Sequence, residues 1–162
     1  MEKRGQIKLS FGMIFSIVII IAILATAFYV ISYFLNLSKC SQIGLFYRDF
    51  EDEVNKAWAA DIASEIFRGD LPRGIEAVCL GNISIDSAEF SEEQESLRRY
   101  YRRSGDNVFL YPTSEACNRE SGSFKLIRAK TGDFFCVPLV DGEFEIKISK
   151  GSFDAKVNLE AI

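Results

Sequence analysis

The chain contains no histidine, which removes the usual imidazole base from serine and cysteine hydrolase schemes; a carboxylate acting alone would need burial to raise its pKa. Its four cysteines, Cys40, Cys79, Cys117 and Cys136, include no close pair, so the spacing typical of structural zinc sites is missing too. Internal repeats and low-complexity linkers are absent. Residues 11–35 lack any charge, and 21 of those 25 are apolar. What is present divides accordingly: an apolar run at the N-terminal end, and a remainder with an ordinary globular composition. A freely soluble single domain and a multi-pass transporter are both excluded.

A helix of 25 residues reaches about 38 Å, enough to cross a hydrocarbon core of about 30 Å with some tilt. Aromatic residues sit near both ends: Phe11 and Phe15, then Phe28, Tyr29, Tyr33 and Phe34. That is the distribution of an interfacial belt. Lys3, Arg4 and Lys8 precede the run against the single Glu2, so the positive-inside rule predicts a cytoplasmic N-terminus and an exported remainder. A cleaved secretory signal is the rival reading, because Ala25-Thr26-Ala27 has the small-x-small form. Cleavage there would leave a mature chain opening on the apolar Phe28-Tyr29-Val30-Ile31. The exported part holds 16 basic and 22 acidic residues, a net charge of −6, which argues against nucleic acid as a partner.

Residues 40–67 read as an amphipathic helix, with Ile43, Phe46, Phe50, Val54, Ala57, Trp58, Ile62 and Ile66 recurring at three and four. Gly69 is expected to end it and Pro72 to prevent resumption. Residues 75–80 suit a strand buried on both sides. Ser91 should cap a short helix over 91–103, with Glu92, Glu93 and Glu95 at its positive end and arginines at its negative end. Residues 108–111 form a strand stopped by Pro112. Four further runs, 125–129, 134–140, 144–149 and 153–159, are separated by Thr131-Gly132-Asp133, Asp141-Gly142 and Lys150-Gly151-Ser152, each a plausible turn. In the third, Phe144, Ile146 and Ile148 alternate with polar residues, which predicts an antiparallel sheet with one wet face. The expected fold is α+β. Its divisions are an n-region (1–10), a transmembrane helix (11–35), the amphipathic extension (36–70) and a β-rich domain with one short extra helix (71–162).

Outside a membrane, an even number of cysteines in a small domain points to disulfides, and four permit three pairings. The favoured pairs are Cys40 with Cys79, tying helix to first strand, and Cys117 with Cys136, closing a loop worth about 3 kcal/mol; a zinc site is the alternative. Arg98, Arg99, Arg102 and Arg103, interleaved with Tyr100 and Tyr101, are a candidate patch for an anionic surface, or simply a basic helix end whose tyrosines pack inward. Asn82-Ile83-Ser84 is a glycosylation sequon in a surface loop, and Asn36-Leu37-Ser38 is a second, too close to the membrane for use. The acidic run 49–53 reads as a solvated helix face. No catalytic residue, metal ligand or cofactor is assigned.

The segment Lys3-Arg4-Gly5-Gln6-Ile7-Lys8-Leu9-Ser10-Phe11 places a basic pair and a glycine just before the apolar run. It resembles the class III signal peptide of archaeal type IV pilin-like proteins. That resemblance implies cleavage between Gly5 and Gln6 by a prepilin peptidase-like enzyme, with the hydrophobic helix kept on the mature chain. Many type IV pilins carry glutamate at the fifth mature position, where this chain has Ser10; that departure bears on self-assembly. Residues 11–15, Lys39-Cys40-Ser41-Gln42, Lys56-Ala57-Trp58, Leu71-Pro72, Val78-Cys79 and the final hairpin are similar to a group of archaeal single-pass membrane proteins. The leading expectation is therefore a non-enzymatic pilin-like surface protein whose partners are the lipid bilayer, a processing peptidase and other pilin-like subunits. The alternatives are a bitopic anchor presenting a binding domain to the envelope, and a tethered enzyme.

Overall fold

The computed structural model describes residues 11–84, 92–118, 120–130 and 132–162. The expected leader with its Gly5-Gln6 junction, the Ser91 cap and Thr131 lie outside the described residues. The chain forms two compact units, Met1–Leu37 and Ser38–Ile162.

Within the first unit every described residue is helical and exposed. Two of its hydroxyls bond back to the helix backbone: Ser16 Oγ donates to the Gly12 carbonyl at 2.8 Å and Thr26 Oγ1 to the Ala22 carbonyl at 2.7 Å. Such back-bonding pairs these two donors without recourse to water. The helix, α1 (Phe11–Ala59), is long and apolar enough to cross a membrane.

The second unit takes up the last 22 residues of α1, β1 (Ala63–Asp70), β2 (Ala77–Leu80), α2 (Glu92–Tyr101), β3 (Val108–Tyr111), β4 (Ser123–Phe124), β5 (Phe135–Pro138), β6 (Glu143–Lys150) and β7 (Asn158–Glu160). The fold is α+β, as expected. Its strands make two antiparallel sheets, ordered β1-β6-β7 and β4-β3-β2-β5. Ile43, Phe46, Phe50, Val54 and Ala57 are buried on α1 at the predicted spacing, and they meet Phe67, Phe144, Ile146 and Ile148 from the first sheet. Phe46 and Phe144 pack edge to face at 5.6 Å, and Phe50 stacks on Phe67 at 4.9 Å. Val78, Leu80, Val108 and Leu110 join the same core from the second sheet. Cys79 and Phe109, pointing the other way, build a smaller core with Leu97 and Tyr101 of α2. The two-sided burial predicted for 75–80 therefore holds over β2.

Several expectations are corrected. The amphipathic helix stops at Ala59, and Ala63–Asp70 is a strand paired with β6 over eight rungs. Gly69 is therefore not a helix terminator: it lies in β1 opposite Phe144, where a Cβ would come within 2.8 Å of the Phe46 ring. Trp58, Ile62 and Ile66, assigned to the buried stripe, are 39%, 71% and 55% exposed. Residues 125–129 form no strand, their one ladder contact being a parallel bridge from Ala129 to Val157, although Leu126 and Ala129 are buried in the main core, and the run 153–159 is strand only at its end. The final runs do not share one sheet, since β5 pairs with β2 while β6 pairs with β1 and β7. The Asp141-Gly142 turn still closes as its sequence predicts, with φ of 54° and 86° and reciprocal Val140–Glu143 hydrogen bonds of 3.0 and 2.9 Å, a type I′ arrangement.

The disulfides are Cys40–Cys117 and Cys79–Cys136, which overturns the favoured pairing. Cys79 and Cys136 are direct cross-strand partners in the β2–β5 register. Cys117, on the loop after β3, reaches the start of the second unit's helix instead, beside a Lys39–Glu115 ion pair of 2.6 Å.

Candidate functional site

The arginine cluster straddles the end of α2. Arg98 and Arg99 lie in its last turn, while Arg102 and Arg103 follow in a turn; Arg98 is half-buried and the other three are exposed. Tyr101 packs inward against Phe109 at 5.8 Å, but Tyr100 is exposed, so only one of the two tyrosines behaves as expected. The Arg102 carbonyl accepts a hydrogen bond from Ser84 Oγ at 3.3 Å. The fold therefore brings the cluster beside the Asn82 sequon, which the sequence did not connect to it. Asn82 is half-buried, and its Oδ1 accepts from the Ser84 N–H at 2.9 Å, a local turn that fixes the loop.

Two cavities flank this region. One, of about 420 Å³, is lined by Asn82, Ser84, Asp106, Lys125 and Lys156 among others; the other, of about 280 Å³, by Leu80, Lys130, Phe135 and Glu160 among others. Asn107 borders both, and its amide bonds the Leu126 backbone twice: Nδ2 donates to the Leu126 carbonyl at 2.9 Å and Oδ1 accepts from the Leu126 N–H at 2.7 Å. It is a structural clamp holding 124–126 against β3. Among the described residues no group of side chains could hold a metal ion.

The acidic run is indeed a charged outer face of α1. Asp49 pairs with Arg48 at 2.9 Å and Glu53 with Lys56 at 2.7 Å. The hydrogen bond from Lys56 holds the Glu53 carboxyl below its ordinary range, with desolvation opposing. Glu53 thus stays ionised at neutral pH and is unsuited to proton donation.

The C-terminal end of α1 carries the densest polar contacts. Lys150 Nζ donates to the carbonyls of Trp58 and Ala60 at 2.6 and 2.7 Å, placing a cation on the negative pole of the helix. Arg128 lies 4.0 Å over the Trp58 ring and donates to Asn55 Oδ1 at 3.0 Å. Trp58 Nε1 donates to the Ala155 carbonyl at 3.2 Å. Sequence reasoning missed this cluster because its members lie about 70 to 97 residues apart. These residues tie the helix end to β6 and to the loops holding Arg128 and Ala155. The two disulfides fit maturation in oxidising, extracellular surroundings. No family model, curated protein or solved structure matches the chain.

Proposed function

We propose that this is a membrane-anchored, extracytoplasmic, non-enzymatic structural protein of the type IV pilin-like kind, with its N-terminus in the cytoplasm. The observation that carries the reading is α1 itself. One continuous helix is wholly exposed and uncharged over 11–35, and then buries Ile43, Phe46, Phe50 and Val54 in a disulfide-linked domain. Such a helix is equally at home in lipid and against other apolar helices, which a filament subunit requires. The Lys3-Arg4-Gly5 junction supplies the processing signal, and a surface filament or the cell membrane is its place of work.

Ser10, standing where many pilins have glutamate, favours a second reading: a permanent bitopic anchor that presents the domain to the envelope. N-terminal sequencing of the native protein separates the two. A chain beginning at Gln6 supports the pilin-like reading, whereas one beginning at Met1 or Phe28 overturns it.

A further inference from the structure

β1 lies at one edge of the sheet β1-β6-β7 and pairs with β6 through eight consecutive rungs without a bulge. The register continues beyond the strand, because the Leu71 N–H donates to the Gly142 carbonyl at 3.0 Å. In an antiparallel ladder, residues that exchange bonds with the partner alternate with residues whose N–H and C=O point away from it. Leu71 belongs to the first set. Ser64, Ile66, Arg68 and Asp70 therefore direct their backbone groups away from β6, and all four are exposed. Edge strands are commonly protected by being short, by proline, by bulges or by charged side chains; β1 is long, without proline or bulge, and of its three charged residues, Glu65, Arg68 and Asp70, two are acidic.

Two grooves run between this edge and α1. The wider, of about 420 Å³, presents Leu45, Phe46 and Leu71 alongside Asp49, Asp70 and Glu143. The adjoining one, of about 360 Å³, adds Asp52 and Glu53. The cations here are already engaged, Arg48 with Asp49, Lys56 with Glu53 and Arg68 with Glu145, which leaves Asp52, Asp70 and Glu143 without an ion-pair partner among the described residues. Asp70 and Glu143 are directly opposed in the register, and like charges so placed destabilise a sheet. The edge thus offers unpaired backbone donors and acceptors beside a net negative charge carried by Asp52, Asp70 and Glu143.

We propose that the β1 edge binds an extended segment of a partner polypeptide with basic residues at alternate positions, added as a fourth strand of this sheet. Backbone hydrogen bonds supply affinity and the alternating side chains supply selectivity. A lysine or arginine stem can lie on Leu45 and Phe46 while its head reaches the carboxylates. A second copy of this chain is the wrong partner: two β1 edges meeting about a two-fold axis would bring the carboxylate-lined groove of one copy alongside the same groove of the other, like charge against like. The inference is independent of whether the leader is cleaved or filaments form.

The test uses the full chain in detergent micelles and a fluorescein-labelled heptapeptide, Thr-Lys-Thr-Val-Thr-Lys-Thr, followed by fluorescence anisotropy. The expected result is saturable binding that weakens with salt and is at least about tenfold tighter than for the same peptide with glutamate replacing lysine. Proline is tolerated where an edge N–H faces solvent, so Ile66→Pro should keep the parent melting temperature and lose the binding. Should Ile66→Pro fail to fold, the double change Asp49→Lys, Asp52→Lys on the exposed face of α1 should reverse the peptide preference. Absence of saturable binding, equal affinity for both peptides, or undiminished binding to folded Ile66→Pro would overturn the proposal. Concentration-dependent dimerisation abolished by Ile66→Pro would also overturn it, in favour of self-association.

Discussion

Replacing Cys40 and Cys117 by alanine tests both the connectivity and the energetics of the disulfide-linked unit Ser38–Ile162. The two cysteines are 77 residues apart, and the chain-entropy expression assigns such a closure about 4.5 kcal/mol. The second bridge, Cys79–Cys136, overlaps the first in sequence. With it intact, the covalent path from Cys40 to Cys117 shortens to about 58 residues, and the figure falls to about 4.2 kcal/mol. For a domain of this size each kcal/mol moves Tm by about 3–5 °C, so a loss of ~15 °C is expected. Thermal unfolding of the full chain in detergent, followed by near-ultraviolet circular dichroism, reads the shift. Connectivity is read separately, because lysines and arginines place each cysteine on its own tryptic peptide. A non-reduced digest should join the peptide of Cys40 to that of Cys117. A Cys40–Cys79 linkage, or a variant melting within about 3 °C of the parent, would refute the reasoning.

Phe144 is fully buried and touches the rings of Phe46, Phe50 and Phe67, so Phe144→Ala should cost about 3–5 kcal/mol in urea unfolding. Lys150→Met keeps the aliphatic stem but removes both hydrogen bonds to the end of α1; a loss of about 1–3 kcal/mol is expected, measurable by the same unfolding curves. Burial, reinforced by Tyr101 and Asp106, raises the Tyr47 hydroxyl above its ordinary 10.0. The folded state favours the neutral phenol, so this stabilisation is complete below the unfolded value and lost as pH rises above it. Tyr47→Phe gives up the 2.9 Å bond to the Ser121 carbonyl, about 1 kcal/mol at neutral pH. The deficit should shrink between about pH 9 and pH 11, whereas a gap that widened would contradict the assignment.

Several elements were legible in the sequence because their causes are local. The Asp141-Gly142 turn needs only residues that accept positive φ. The alternation in β6 and the charge gradient along α2 likewise follow from near neighbours. β1 was misread for the same reason in reverse. Nothing between Ala59 and Ala63 breaks a helix by propensity, and Ile62 and Ile66 prolong the three-and-four spacing. The strand forms because β6 offers eight rungs of pairing, with the Phe46 ring lying where Gly69 has no side chain. The arginine cluster was visible as composition, yet its neighbour in space, the Asn82 loop, was not.

By itself the sequence determined the uncharged apolar segment, the acidic remainder, the fold class and the number of half-cystines. These rest on composition and short-range periodicity, which survive any arrangement of the chain. Tertiary structure alone decided where α1 ends, how the strands divide between two sheets, which cysteines meet and which edge is left open. Each of those depends on contacts between residues tens of positions apart, and long-range pairing is chosen by the packing of the whole core rather than by any local stretch.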